Sequence, residues 1–110
     1  MPAEPGSQAA FVCDSSEDRD TLTVFGEVDI ANADDLRRSL MHCARSDRPL
    51  TVDLTACGYI DTSGLHVLAE FGQLMPRLSV LSPAKGHIPR VIELLGLSHL
   101  VEVVFQPELT

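Results

Sequence analysis

The sequence is poor in aromatic residues and in positive charge. Its 110 residues include no tryptophan, and aromatic side chains make up only 5% of the chain. The chain contains eight Lys and Arg residues and 16 Asp and Glu residues, which gives a net charge of −8. Nucleic-acid binding needs cations that displace counterions from phosphates, so this balance argues against a nucleic-acid partner. It also disfavours docking on an anionic lipid surface.

Long apolar runs are missing as well. No segment reaches the roughly 18 apolar residues that a membrane-spanning helix needs. Residues 1–7 read M-P-A-E-P-G-S and lack both the basic and the apolar region of a signal peptide. We therefore expect a soluble, cytoplasmic protein without membrane insertion. The Pro, Gly and polar content of residues 1–7 predicts a disordered tail.

Three cysteines, Cys13, Cys43 and Cys57, are present without a C-x-x-C pair. This spacing gives no zinc framework and no evident disulfide set, so small buried thiols are the simplest interpretation. The four histidines are scattered; His66 and Glu70 share a helix face but suggest no third metal ligand. Neither a P-loop nor a G-x-G-x-x-G motif occurs. We expect no metal and no cofactor.

The apolar pattern predicts one α/β domain over residues 8–106. Alternating or short apolar runs predict strands at 9–13, 21–26, 50–55, 78–81 and 100–105. Helical spacing predicts helices from Ala33 to Arg45, from Asp61 to before Pro76, and from Pro89 to before Gly96. The predicted order is β-β-α-β-α-β-α-β, an initial hairpin followed by βα units. Such an order gives a mixed sheet.

The turn into the second helix carries the most informative residues. Residues 61–64 read D-T-S-G at a predicted helix N-terminus, where unpaired N–H groups and the helix dipole favour an anion. Ser63 could be a helix cap, a nucleophile or an acceptor of phosphate. A nucleophile elbow needs G-x-S-x-G, but Asp61 and Leu65 occupy the two glycine positions. We therefore expect no enzymatic activity.

Two other aspartates are candidate sites. Asp53 at a strand end, with Lys85 after the next strand, is similar to a receiver-domain phosphoacceptor. The acidic pair that would hold magnesium is missing, so a local cap is the better interpretation. Asp29 follows the second strand; it either stabilises its own turn or lines the same sheet edge as Ser63.

Three segments of the sequence are informative together. Residues 26–33 read G-E-V-D-I-A-N-A, residues 52–55 read V-D-L-T, and residues 59–65 read Y-I-D-T-S-G-L. Together they resemble the STAS family, the domain of bacterial anti-sigma factor antagonists that is also found in sulfate transporters. The resemblance spans roughly residues 9–105. It implies a mixed sheet with helices mostly on one face.

The resemblance also implies a phospho-switch. The serine before Gly-Leu, Ser63 here, would be phosphorylated by an anti-sigma factor that is also a serine kinase. Thr62 replaces the commoner serine and is the second candidate. The unphosphorylated form would bind the kinase and free the sigma factor, and a PP2C-type phosphatase would restore it. The implied docking surface comprises Asp29, Asp61, Thr62, Ser63, Gly64 and Leu65.

One alternative stays open, a STAS subunit of a lipid-transport or transporter complex that is not phosphorylated. The presence of a kinase partner would separate the two. The sequence is compatible with a monomer or a weak dimer.

Overall fold

The computed structural model describes residues 8–45 and 47–108, so the tail predicted to be disordered lies outside the described residues. The strands are β1 (Ala9–Ser15), β2 (Asp20–Val28), β3 (Leu50–Asp53), β4 (Cys57–Ile60), β5 (Leu78–Ser82) and β6 (Glu102–Phe105). The helices are α1 (Ala33–Cys43), α2 (Thr62–Leu74) and α3 (His87–Leu94), with a short 3₁₀ helix at Leu97–His99.

All six strands belong to one mixed sheet. Its order is β1-β2-β3-β5-β6, and β4 also pairs with β2. The β1–β2 hairpin is antiparallel, whereas every other strand pair is parallel. The predicted mixed α/β architecture is therefore confirmed, and β6 lies at the edge of the sheet.

One face of the sheet carries the core. On β2, Leu22 and Val24 are buried while Thr21 and Thr23 are half-exposed, as their alternation predicts. Leu36 and Leu40 of α1 and Leu68 of α2 are fully buried. No helix within the described ranges is long and apolar enough to cross a membrane.

Strand β4 was not predicted from the sequence. It pairs with the second half of β2, while β3 pairs with the first half. The register shifts between Gly26 and Glu27, and this irregularity places both Cys57 and Ile60 in the core, three residues apart. A period of two cannot reveal such a strand. Gly26 has a φ of 85°, and a Cβ there would lie 1.9 Å from the carbonyl oxygen of Gln8.

The interpretation of the cysteines as three buried thiols was wrong. Cys13 on β1 and Cys43 at the end of α1 form a disulfide with Cα atoms 6.0 Å apart. The fold brings the two together although 30 positions separate them, a pairing that the odd cysteine count concealed. Cys57 is the free cysteine among the described residues and is buried. Burial raises the pKa of its thiol.

Two helix boundaries differ from the prediction by two residues. Helix α1 ends at Cys43 rather than Arg45. Helix α3 begins at His87, so Pro89 is its third residue rather than its first. A proline is tolerated there because the first-turn N–H groups have no partner within the helix. Gly96, in the left-handed conformation, ends this segment as predicted, and Leu97 after it is buried.

The buried carboxylate of Asp20 connects the β1–β2 hairpin to the segment that follows α1. Asp20, only 1% exposed, accepts a 2.7 Å hydrogen bond from the Ser15 hydroxyl. Its two oxygens lie 3.3 Å from Arg45 Nε and 3.2 Å from Arg48 Nε. The hydrogen bond from Ser15, followed by the two guanidinium groups, holds the pKa of Asp20 below its ordinary value although burial opposes this.

Candidate functional site

The candidate site lies at the carboxyl ends of two adjacent parallel strands. Val28 of β2 is in register with Ile60 of β4, and the residues that follow them are Asp29 and Asp61. The Asp61 N–H donates a 3.1 Å hydrogen bond to the Val28 carbonyl oxygen. The fold therefore brings Asp29 close to the start of α2, as predicted, at the edge where open α/β sheets place ligands.

Asp61 is the N-cap of α2. Its Oδ1 accepts hydrogen bonds from the N–H of Ser63 at 3.0 Å and from that of Gly64 at 3.2 Å. The same oxygen accepts a 2.6 Å hydrogen bond from the Ser63 hydroxyl. The anion site expected at this helix N-terminus is thus already filled by the Asp61 carboxylate.

The two neighbouring hydroxyls differ in environment. Thr62 is exposed, whereas Ser63 is half-buried and its hydroxyl is oriented by Asp61. Gly64 and Leu65, both predicted to bind a partner, are buried in this structure. The surface of the predicted docking site therefore consists of Asp29, Asp61, Thr62 and Ser63.

Gly64 lets the helix start close to the sheet. A Cβ at this position would lie 2.7 Å from Ile60 Cγ1 and 2.8 Å from Val28 Cγ1. Real Cβ atoms do not approach other atoms so closely, because the packed core leaves no space. The glycine after Ser63 therefore sets the distance between α2 and the ends of β2 and β4.

The loop after β2 is internally hydrogen-bonded. Asp29 Oδ1 accepts a 2.9 Å hydrogen bond from the Ala31 N–H, which confirms its turn-stabilising role. Asn32 holds the N-cap position of α1 and is 2% exposed. Its Oδ1 accepts from the Asp29 N–H, and its Nδ2 donates to the Glu27 carbonyl oxygen. Ile30, 84% exposed, projects from this ordered loop.

Two aromatic rings at the same edge were not predicted from the sequence. The rings of Tyr59 and His87 stack with centroids 4.6 Å apart, and His87 Nε2 lies 3.0 Å from the Ile60 carbonyl oxygen. These contacts join α3 to β4 immediately before Asp61. The position of His87 in the sequence could have indicated this, because it comes after a predicted parallel strand. Loops that follow parallel strands lie at the same edge of the sheet.

The other candidates have structural roles. Asp53 Oδ1 accepts hydrogen bonds from the N–H and the hydroxyl of Thr55, which confirms the local-cap interpretation. Glu70 pairs with Arg37 at 2.7 Å. No group of three or more His, Cys, Asp or Glu side chains among residues 8–45 and 47–108 is arranged to hold a metal ion.

Comparison with known proteins agrees with this architecture. The family model of the STAS domain matches residues 15–109. The chain therefore belongs to the STAS domain family. No curated protein sequence gives a significant match.

Solved structures with a similar fold include two anti-sigma factor antagonists. An anti-sigma factor antagonist from Mycobacterium paratuberculosis superposes with a TM-score of 0.81 at 22% identity, covering 98% of this chain and 92% of that one. The anti-sigma factor antagonist SpoIIAA in its unphosphorylated form gives a TM-score of 0.68 at 17% identity, with 90% of each chain covered. At these identities the likeness establishes the fold.

Proposed function

We propose that this protein is an anti-sigma factor antagonist that is inactivated by phosphorylation of Ser63. In its unphosphorylated form it binds a cognate anti-sigma factor with serine kinase activity, and the sigma factor is released. A PP2C-type phosphatase reverses the modification. STAS family membership and the two structural neighbours support this role. The observation that carries it is the half-buried Ser63 hydroxyl, fixed by Asp61 at the start of α2.

The domain acts as a substrate in this proposal and not as a catalyst. The kinase transfers the γ-phosphoryl group of ATP to Ser63. A bond forms between Ser63 Oγ and the γ-phosphorus while the bond from that phosphorus to the β,γ-bridging oxygen breaks, ADP leaves, and the hydroxyl proton passes to a base of the kinase. The 2.6 Å hydrogen bond that Ser63 Oγ donates to Asp61 Oδ1 restricts the orientations of Oγ before the kinase binds. A pre-oriented acceptor needs less ordering on the way to the transition state. The exposed Thr62 hydroxyl takes no part in the hydrogen bonds to Asp61, so its orientation is not restricted in this way. We therefore assign the phosphate to Ser63.

Phosphorylation would change the electrostatics of this edge. It adds about −1.5 to −2 charge at neutral pH and removes the proton that Ser63 donates to Asp61. Asp61 already occupies the N–H groups of Ser63 and Gly64, so the phosphate must compete with that carboxylate. Asp29 adds a second carboxylate on the neighbouring strand end. The phosphate is thus directed towards solvent, where a docked partner would have to desolvate it.

The modification itself is tested by phosphate transfer and mass spectrometry. The purified protein is incubated with ATP and the serine-kinase anti-sigma factors of its own organism. We expect one phosphate on Ser63, none in Ser63→Ala, and full incorporation in the matched variant Thr62→Ala. Phosphate on Thr62 would refute the assignment to Ser63. No transfer from any of these kinases would favour the alternative, an unphosphorylated STAS subunit of a transport complex.

The electrostatic argument is tested by binding to the same kinase. Ser63→Glu and Ser63→Gln differ in charge but hardly in size. We expect the Glu variant to bind at least about tenfold more weakly than the Gln variant, equivalent to about 1.4 kcal/mol. Asp29→Asn should recover part of the loss in the Glu variant. Equal affinities of the Glu and Gln variants would show that size, and not charge, controls binding.

A further inference from the structure

A groove of about 580 Å³ lies at the end of the domain opposite Ser63. Asp20, Leu50 and Leu78 are in register at the amino ends of three parallel strands. Because α1 and α2 run back from the carboxyl ends of strands, both helices terminate at this amino end. The groove lies between their last residues. It has the volume typical of small-molecule sites.

The floor of the groove is apolar. Leu74, the last residue of α2, lines it and is 74% exposed. Ala44 and Met75 extend the same surface and are half-buried. Removing apolar surface from water is favourable by about 25 cal/mol for each Å² that is covered. An aliphatic ligand that covers this floor is therefore favoured.

The rim of the groove is basic. Arg45, Arg48 and Arg77 line it, three of only 8 Lys and Arg residues in a chain with a net charge of −8. Buried Asp20 holds the first two at 3.3 and 3.2 Å and offsets one positive charge. Arg77 donates to the backbone carbonyl oxygen of Asp47 at 3.1 Å, so this contact leaves its charge uncompensated. Within residues 8–45 and 47–108 these arginines form no salt bridge other than those with Asp20, so two guanidinium charges remain in excess beside an apolar floor.

We propose that this groove binds a small amphipathic carboxylate, an organic acid with an aliphatic chain. The chain would cover Leu74 and Met75. The carboxylate would pair with Arg45 and Arg77, whose fork geometry matches it. Arg48 already donates to Asp20 and to the backbone carbonyl oxygens of Ser16 and Glu17, so it contributes its charge alone. Asp20 holds Arg45 and Arg48 in place before the ligand arrives, which lowers the ordering cost of binding. The proposal is independent of the proposed function, because the groove and Ser63 lie at opposite ends of the strands.

The probe is sodium decanoate below its micelle concentration, added to the ¹⁵N-labelled full chain and followed by NMR. We expect saturable shifts at the amides of Ala44, Leu74 and Arg77 and unchanged spectra around Ser63. Decyltrimethylammonium, with the same chain and the opposite charge, should bind at least about tenfold more weakly because it loses a charged contact. Equal binding of the two would reduce the site to an apolar surface and overturn the proposal.

Two matched variants test the cationic rim. Arg77→Gln should weaken decanoate binding about tenfold or more, whereas Arg90→Gln, an exposed arginine on α3, should leave it unchanged. Leu74→Gln, at an exposed position that folding does not require, should also weaken it. Equal affinities across all three variants would overturn the proposal. So would concentration-dependent shifts at the groove without decanoate, which would show that a second copy of the chain occupies it.

Discussion

The Ser63 hydroxyl donates a 2.6 Å hydrogen bond to Asp61 Oδ1, the oxygen that also caps the first turn of α2. One carboxylate oxygen therefore holds both the helix and the candidate acceptor. Any change at Asp61 acts on both at once.

Asp61→Ala should destabilise the protein by about 1–2 kcal/mol, because the first-turn N–H groups lose their acceptor. Thr62→Ala, one residue away and exposed, should change the free energy of unfolding by less than about 0.5 kcal/mol. Urea unfolding of both variants measures the difference. Equal midpoints would show that water replaces the cap at no cost.

Gly64→Ala should destabilise the protein by about 1–3 kcal/mol, because its Cβ would lie within 3 Å of Ile60 and Val28 side-chain atoms. Gly58→Ala is the matched control. Its Cβ would meet only the Gly26 carbonyl oxygen, at 4.0 Å. Thermal or urea unfolding compares the two. A Gly64→Ala variant as stable as Gly58→Ala would mean that α2 shifts freely away from the sheet.

Reduction of the disulfide between Cys13 and Cys43 should lower the free energy of unfolding by about 3–4 kcal/mol, the chain-entropy estimate for a separation of 30 residues. Urea unfolding with and without dithiothreitol measures this. Cys13→Ser should be less stable and insensitive to dithiothreitol. A wild-type midpoint that dithiothreitol does not move would contradict the pairing.

Asp20 should make stability depend on pH. Its pKa is lower in the folded chain than in the unfolded chain, so its contribution is complete above about pH 4 and is lost as pH falls through the lowered pKa. Asp20→Asn should remove this part of the acid sensitivity and should be less stable than the wild type near neutral pH. Asp34→Asn, at an exposed position, is the control. Parallel unfolding free energies of wild type and Asp20→Asn between pH 6 and 3 would exclude this linkage.

Much of the fold follows from local patterns in the sequence. Leu22, Val24 and the alternating residues of β3 and β5 face one side, and apolar spacing located α1 and α2 to within a few residues. The shared sheet edge of Asp29 and Ser63 also followed from strand ends, since Asp29 and Asp61 come directly after the paired residues Val28 and Ile60. These features depend on short-range periodicity and on one topological rule.

The remaining features depend on contacts between distant segments. The disulfide joins β1 to α1 across the hairpin, and the stacking of Tyr59 on His87 requires α3 to pack beside β4. Strand β4 itself exists only because β2 continues past the register shift and offers it a partner. No local pattern carries such information, because each contact is fixed by how the whole domain closes.

The register of Val28 with Ile60 has a consequence for recognition. Asp29 and Asp61 become neighbours only through this pairing, and no short peptide contains both. A protein that binds the surface around Asp29 and Asp61 must therefore recognise a discontinuous epitope of the folded domain. A synthetic peptide around Ser63 would present half of that epitope, and local unfolding of β4 would abolish it.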